Sequence, residues 1–322
     1  MHTALPADSA AAPHRDDVDA ALQRFVARSR FTRRGGVFTD LDGTAVHEVE
    51  GRVLVPPTVE RALQRLRDLG RPLVLNSLRF PLSVIRTFGR EWYAISDAPL
   101  PLVSLNGSLL GRLVRADDGA IAFEEIEAFP LRESEVEQLL AGVGDVLAEG
   151  LRDVLVFAYP RDWRRGEELW TPAPEKAPAL RERYRSAATV SCEPFGALRE
   201  RLAGVELCMV FVRVDAPEDR LLAFQHTRRS SFFTRAGVDK LSGARRMAEH
   251  LGVEIEHSVG AGDTELDRFL EAVGLSVKVG PIELPFAGRF ETVRVPDSHS
   301  LGELLFRLGE LHGEPAAPGR GE

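Results

Sequence analysis

The chain has 322 residues, 44% of them hydrophobic, and a formal net charge of -8. That length allows a well-buried core and favours two structural units over one, while negative charge spread without long like-charged blocks argues against a nucleic-acid partner. Two cysteines, Cys192 and Cys208, lie far from any ligand-spaced histidine or second pair, which disfavours a zinc site or a disulfide scaffold and suits a reducing cytoplasm.

In chain order, residues 1 to about 15 read as a mobile start within an N-terminal extension over 1–30; it lacks the basic-then-apolar order of a signal peptide, and no apolar run in the chain approaches the roughly 20 residues of a membrane span. From Gly36 short apolar runs alternate with amphipathic stretches. GVFT (36–39) predicts a buried strand, and PTVERALQRLRDLG (57–70) places Val59, Leu63 and Leu66 at helical spacing before a stop at Gly70. RPLVLNS (71–77) predicts a second strand, FPLSVIRTFG (80–89) a short helix, and LPLVSLNG (100–107) a third strand ending at Asn106 and Gly107. Such a series predicts a parallel sheet covered on both faces.

From about Gly111 the rhythm changes. LLGRLVRA (109–116) and AIAFEEIEAF (120–129), joined by DDG, predict a hairpin, and Val136, Leu139, Leu140, Val143 and Leu147 then mark one face of a helix. VLVFAYP (154–160), further helix, VELCMVFVRVD (205–215) and LLAFQH (221–226) complete an α+β unit, and the pair Phe232 and Phe233 is expected to pack at the hinge. Near Asp239 the first rhythm resumes: KLSGARRMAEHLG (240–252) predicts a helix, EIEHSVGAGD (254–263) a strand and its exit, TELDRFLEAVG (264–274) a helix, and LSVKVG (275–280) another strand. The expectation is an α/β fold with a doubly wound parallel-sheet core over 31–110 and 234–312, an inserted α+β domain over 111–233, and a mobile tail at 313–322.

Ligands of doubly wound sheets bind beyond the carboxyl ends of the strands, and there the polar residues gather. Asp40 and Asp42 end the first strand, Ser77 and Arg79 the second, Asn106 the third; Asp263 follows a later one, and Lys240 opens the preceding helix. Strand-end carboxylates such as Asp40 and Asp263 can hold Mg²⁺ against a substrate phosphate, an aspartate can attack phosphorus, and a second can act as acid and base. Gly43 permits a sharp exit toward a phosphate, Thr44 and Ser77 offer hydroxyl donors, and Arg79 and Lys240 offer positive charge. Lys240 is one of only three lysines in an arginine-rich chain, which makes a chance lysine there less expected.

FTDLDGTAV (38–46), LVLNSLRF (73–80), GVDKLSGARR (237–246) and SVGAGDTELD (258–267) resemble, in order and spacing, the four motifs of the haloacid dehalogenase (HAD) superfamily. The insertion falls where Cof-like, sucrose-phosphate and trehalose-phosphate phosphatases carry a type IIB cap, and LNG (105–107) resembles their pre-cap segment. The resemblance implies a Rossmann-like core and a Mg²⁺-dependent phosphatase acting on a small phosphorylated metabolite, with sugar phosphates favoured. It implies Asp40 as nucleophile and metal ligand, and Asp42 as acid and base that lends its carbonyl to the metal. Ser77 would contact the phosphoryl group, Lys240 would fix both nucleophile and phosphate, Asp263 would complete the metal site, and Asp267 would have an orienting or water-mediated role. Gly43, Thr44, Arg79 and Asn106 are expected on the substrate side. Leu266 stands where relatives commonly have Asn, Leu78 where many have Gly, and Asn76 where the position is normally less polar. The motifs leave open transfer to a second hydroxyl, as in phosphomannomutase-like relatives, and a catalytically idle phospho-ligand binder.

Overall fold

A computed structural model describes residues 15–49, 52–185, 187–214 and 230–313. Most of the expected mobile start, nearly all of the tail, and the LLAFQH strand lie outside the described residues. The described chain forms two compact units, one from the residues through Leu73 and from Ala248 onward, the other from Val74 to Met247.

Helix α1 (Arg15–Arg28) buries Ala21, Leu22 and Phe25, and α2 (Phe31–Arg34) is a single turn. Strand β1 (Val37–Thr39) is buried throughout, as a strand covered on both faces must be. A small antiparallel ribbon follows, β2 (His47–Val49) and β3 (Arg52–Leu54). Helix α3 (Pro57–Asp68) opens on a proline, whose missing N–H costs nothing in the first turn, and buries Val59, Ala62, Leu63 and Leu66 along one stripe.

Strand β4 (Leu73–Asn76) is buried at all four positions. The short helix expected after it is longer: α4 (Pro81–Val84) runs through a π-turn at Ile85–Gly89 into α5 (Arg90–Ile95). Strand β5 (Leu100–Ser104) lies parallel to β4, and a tight turn at Leu105–Gly107 sends β6 (Leu109–Arg115) straight back along β5, with β7 (Ile121–Ala128) antiparallel to β6. The hairpin expected in the inserted domain therefore extends the β4–β5 sheet, because the turn leaves no slack for β6 to go elsewhere.

A separate sheet begins after it. Helix α6 (Glu133–Ala148), β8 (Val154–Pro160), β9 (Glu168–Trp170), α7 (Ala177–Arg183), β10 (Thr189–Ser191), α8 (Phe195–Ala203), β11 (Leu207–Val214) and β12 (Ser230–Phe233) give the strand order β10-β9-β8-β11-β12. The expected helix face, Val136, Leu139, Leu140 and Val143, packs with α8 against Val154, Val156, Ala158 and Val210; each fully buried side chain of this kind contributes about 1.5–3 kcal/mol. On the opposite face Val190, Leu169, Phe157, Phe211 and Phe232 fall in register across all five strands. Phe232 and Phe233 do not pack at a hinge. They lie on the edge strand, 41% and 39% exposed, with Phe232 stacked on Phe211 at 4.7 Å; strand alternation turns the two rings to opposite faces. Helix α9 (Lys240–Leu251) follows.

The first unit resumes with β13 (Val259–Gly262), β14 (Leu275–Val279), β15 (Glu291–Val295) and α10 (Ser298–Gly313). Strands β15, β14, β13 and β1 are parallel neighbours in that order. The helix expected over 264–274 is only a 3₁₀ turn, Arg268–Glu271. The chain loops around the buried Asp267 carboxylate, and the Gly274 N–H already bonds Ser258 O at 2.9 Å, so no longer helix fits. Among the described residues no helix is long and apolar enough to cross a membrane.

Candidate active site

In the first unit three of the four acidic residues expected at the metal site meet. The Asp40 N–H bonds Ala261 O at 2.9 Å, which continues the β1–β13 ladder and fixes Asp40 at its carboxyl end, 5% exposed. One carboxylate oxygen from each of Asp40, Asp263 and Asp267 lies within 4.8 Å of the others. Like charges this close repel strongly unless a cation or proton intervenes.

The turn after β1 is shaped to allow this. Ala45 and Val46 N–H groups both bond Leu41 O, at 3.0 and 2.9 Å, which closes the turn and leaves Asp42 exposed. Gly43 has φ 73°, and a Cβ there would come within 2.4 Å of Asp263 Oδ2. A side chain at 43 would thus displace the Asp263 carboxylate. The fully buried Thr44 donates its hydroxyl to Asp263 Oδ1 at 2.9 Å. That bond turns the Thr44 hydroxyl, expected on the substrate side, toward the Asp263 carboxylate.

Asp267 holds the other side. Its Oδ2 accepts the N–H of Asp263 and of Thr264, both at 3.0 Å, and the Thr264 hydroxyl at 3.2 Å. Full burial and these donors make Asp267 the anchor of the loop that carries Asp263. Thr264 was not singled out from the sequence; its spacing of three from Asp267, a local side-chain-to-backbone pattern, was the available signal. The set is all hard oxygen, as Mg²⁺ prefers, and fits such an ion.

In the second unit the remaining residues gather around the ends of β4 and β5. Ser77 is 1% exposed; its N–H bonds Val103 O at 2.8 Å and its Oγ accepts the Arg79 N–H at 3.1 Å. The Arg79 guanidinium reaches back to the hydroxyls of Ser83 and Thr87, at 3.3 and 3.2 Å. Asn106 has φ 57°, the left-handed region that Asn tolerates, and its N–H points to Ser77 O at 3.4 Å. Gly107, φ 90°, lies where a Cβ would be 2.2 Å from Asp239 O.

Asp239 caps α9: its carboxylate accepts the Ser242 N–H at 2.8 Å while the Ser242 hydroxyl accepts the Asp239 N–H at 2.9 Å, a reciprocal capping box. Lys240, the next residue, is 2% exposed, and its carbonyl accepts the Asn76 amide at 3.0 Å. A lysine so buried is rare in a core without a partner for its charge.

No family model and no curated protein matches the sequence. Solved structures do. The chain is similar to the HAD phosphatase BT1666 from Bacteroides thetaiotaomicron (16% identity, 86% of this chain and 96% of that one, TM-score 0.61) and to the HAD subclass IIB sugar phosphatase BT4131 (15%, 84% and 96%, TM-score 0.57). It is also similar to TM0651 from Thermotoga maritima (15%, 85% and 96%, TM-score 0.58). These likenesses show the fold: an α/β, Rossmann-like core of the HAD type with an inserted α+β cap.

Proposed function

We propose that this chain is a Mg²⁺-dependent phosphomonoesterase of the HAD superfamily, which hydrolyses a small phosphorylated metabolite through a phospho-Asp40 intermediate. The observation that carries this reading is the meeting of the Asp40, Asp263 and Asp267 carboxylates at the carboxyl end of the β1–β13 ladder. Sugar phosphates are the favoured class, by analogy with the described sugar phosphatase of the same fold. The segment from α6 to β12 would serve as the cap, and the two free cysteines suit a reducing cytoplasm.

Asp40, Asp263 and the carbonyl of Asp42 would hold Mg²⁺, with Asp267 orienting Asp263. Bound there, the ion would offset carboxylate repulsion and stabilise charge on the phosphoryl oxygens. Asp40 Oδ attacks phosphorus while Asp42 gives a proton to the departing alkoxide. Asp42 then takes a proton from water as the water attacks the phospho-Asp40 phosphorus, which releases phosphate and restores the Asp40 carboxylate. The exposure of Asp42 supports this role, since it can exchange protons with solvent between steps. Ser77 and Lys240 would bind phosphoryl oxygens, as the motif resemblance implies, with Gly43, Arg79 and Asn106 toward the substrate.

The test is turnover of p-nitrophenyl phosphate. Activity that requires Mg²⁺ and falls by about 10³-fold or more in Asp40→Asn supports the reading; equal turnover by wild type and Asp40→Asn refutes it.

A further inference from the structure

Strand β4 reads Leu-Val-Leu-Asn, and all four side chains are buried. Strands of this kind are apolar along their length, yet Asn76 is 0% exposed. Its Nδ2 donates to the Lys240 carbonyl at 3.0 Å, and its Oδ1 is buried with no hydrogen-bond partner among the described residues. Only this amide orientation works, because a carbonyl cannot donate. A buried acceptor left without a donor weakens a fold, and an apolar side chain of similar size would avoid that penalty. The core therefore gives no reason for asparagine at this position.

The bond to the Lys240 carbonyl does. Lys240 is the first residue of α9, and the residue after Asn76 is Ser77. The amide thus ties the start of the helix that carries the lysine to the end of the strand that carries the serine. A second tie lies beside it, where Gly107 lets the Leu105–Gly107 turn approach the Asp239 carbonyl. With the residue 240 backbone fixed, the buried Lys240 side chain starts from a set origin on its way to the phosphoryl group. From this geometry we infer that Asn76 is a positioning residue, which sets Lys240 relative to Ser77 through the Lys240 carbonyl and is kept at the expense of core packing. The inference rests on the phosphatase reading, in which Lys240 and Ser77 both contact the phosphoryl group.

The experiment uses the full chain with Mg²⁺ and p-nitrophenyl phosphate, and compares wild type, Asn76→Val, Asn76→Leu, Lys240→Arg and the Asn76→Val/Lys240→Arg double variant. Asn76→Val is expected to lower kcat about tenfold with KM within about twofold, since misplacement acts on the reacting geometry, while its thermal midpoint stays at or above that of wild type. The double variant is expected to be no slower than Lys240→Arg alone, as befits residues acting through one another. An unchanged kcat in Asn76→Val, or a full further tenfold loss on top of Lys240→Arg, overturns the inference. So does loss of the native near-ultraviolet circular dichroism in both Asn76→Val and Asn76→Leu, which would make Asn76 a packing group. An inactive wild type removes the phosphatase reading and the inference with it, whereas an active wild type with unaffected Asn76 variants removes the inference alone.

Discussion

Thr44 illustrates how much a single proton decides. Its hydroxyl donates to Asp263 Oδ1 while the loop behind Asp263 is pinned through Asp267, so the carboxylate is held from two directions. Groups that orient a metal ligand typically change metal affinity 10- to 100-fold when lost. Thr44→Val keeps the side-chain shape and removes the donor; we predict that its half-saturating Mg²⁺ concentration rises about tenfold, with Thr44→Ser close to wild type, as read from Mg²⁺ titration of phosphatase activity. An unchanged Mg²⁺ requirement in Thr44→Val would show that Asp263 needs no such support. At this scale the sequence marks candidate residues and is weak about their partners. Asp40 and Asp263 were legible because an apolar run ending in acid at a predicted strand end has few other uses. The redirection of Thr44 toward Asp263 depends on a contact across 219 positions, which no local pattern encodes.

At the level of elements, the turn after β5 has the least room for change. Leu105, Asn106 and Gly107 all have positive φ, and the Gly107 Cα faces the Asp239 carbonyl at the capped start of α9. Gly107→Ala must both adopt an unfavourable backbone and push α9 away. We predict a loss of about 2 kcal/mol or more in urea unfolding, together with a fall in kcat that follows the displaced Lys240. Wild-type stability in this variant would mean that the turn relaxes freely. Periodicity located the strands and the long helices well, since burial on both faces or on one stripe leaves a clear apolar pattern. It overextended the helix after β13, where Phe269, Leu270 and Val273 have helical spacing but the buried Asp267 carboxylate takes the loop's N–H groups. It also gave no sign of which sheet β6 and β7 join, a choice made by the length of one turn.

For the molecule as a whole, acid is the informative perturbation. Ser300 donates its backbone N–H to Asp297, which holds that carboxyl below the usual carboxylate range. Its contribution to stability is therefore present at neutral pH and lost as the pH falls through the folded-state value. Burial, aided by nearby Arg71, pushes His312 below its ordinary 6.5, and its Nε2 is buried without a partner among the described residues. The unfolded chain then binds that proton more readily, so the fold weakens as the pH drops below about 6.5. The two effects have the same sign but separate windows: Asp297 acts only below its ordinary 3.8, so between pH 7 and pH 5 the His312 effect operates. The thermal midpoint is predicted to fall between pH 7 and pH 5, and His312→Leu to flatten that part of the profile; an identical slope in the variant would place the effect elsewhere.

The change of rhythm along the chain leads to the expectation of two structural units, and the rule that open α/β sheets bind ligands at carboxyl ends to that of a strand-end site. What ties these together is the claim that Asp40 becomes phosphorylated. Acid quench of a reaction with p-nitrophenyl phosphate and Mg²⁺, followed by peptide mass spectrometry, tests it most directly. The account predicts one added phosphoryl group on the peptide containing residue 40, absent in Asp40→Asn. Steady turnover with that peptide unmodified, or with the phosphoryl group on another residue, would contradict it.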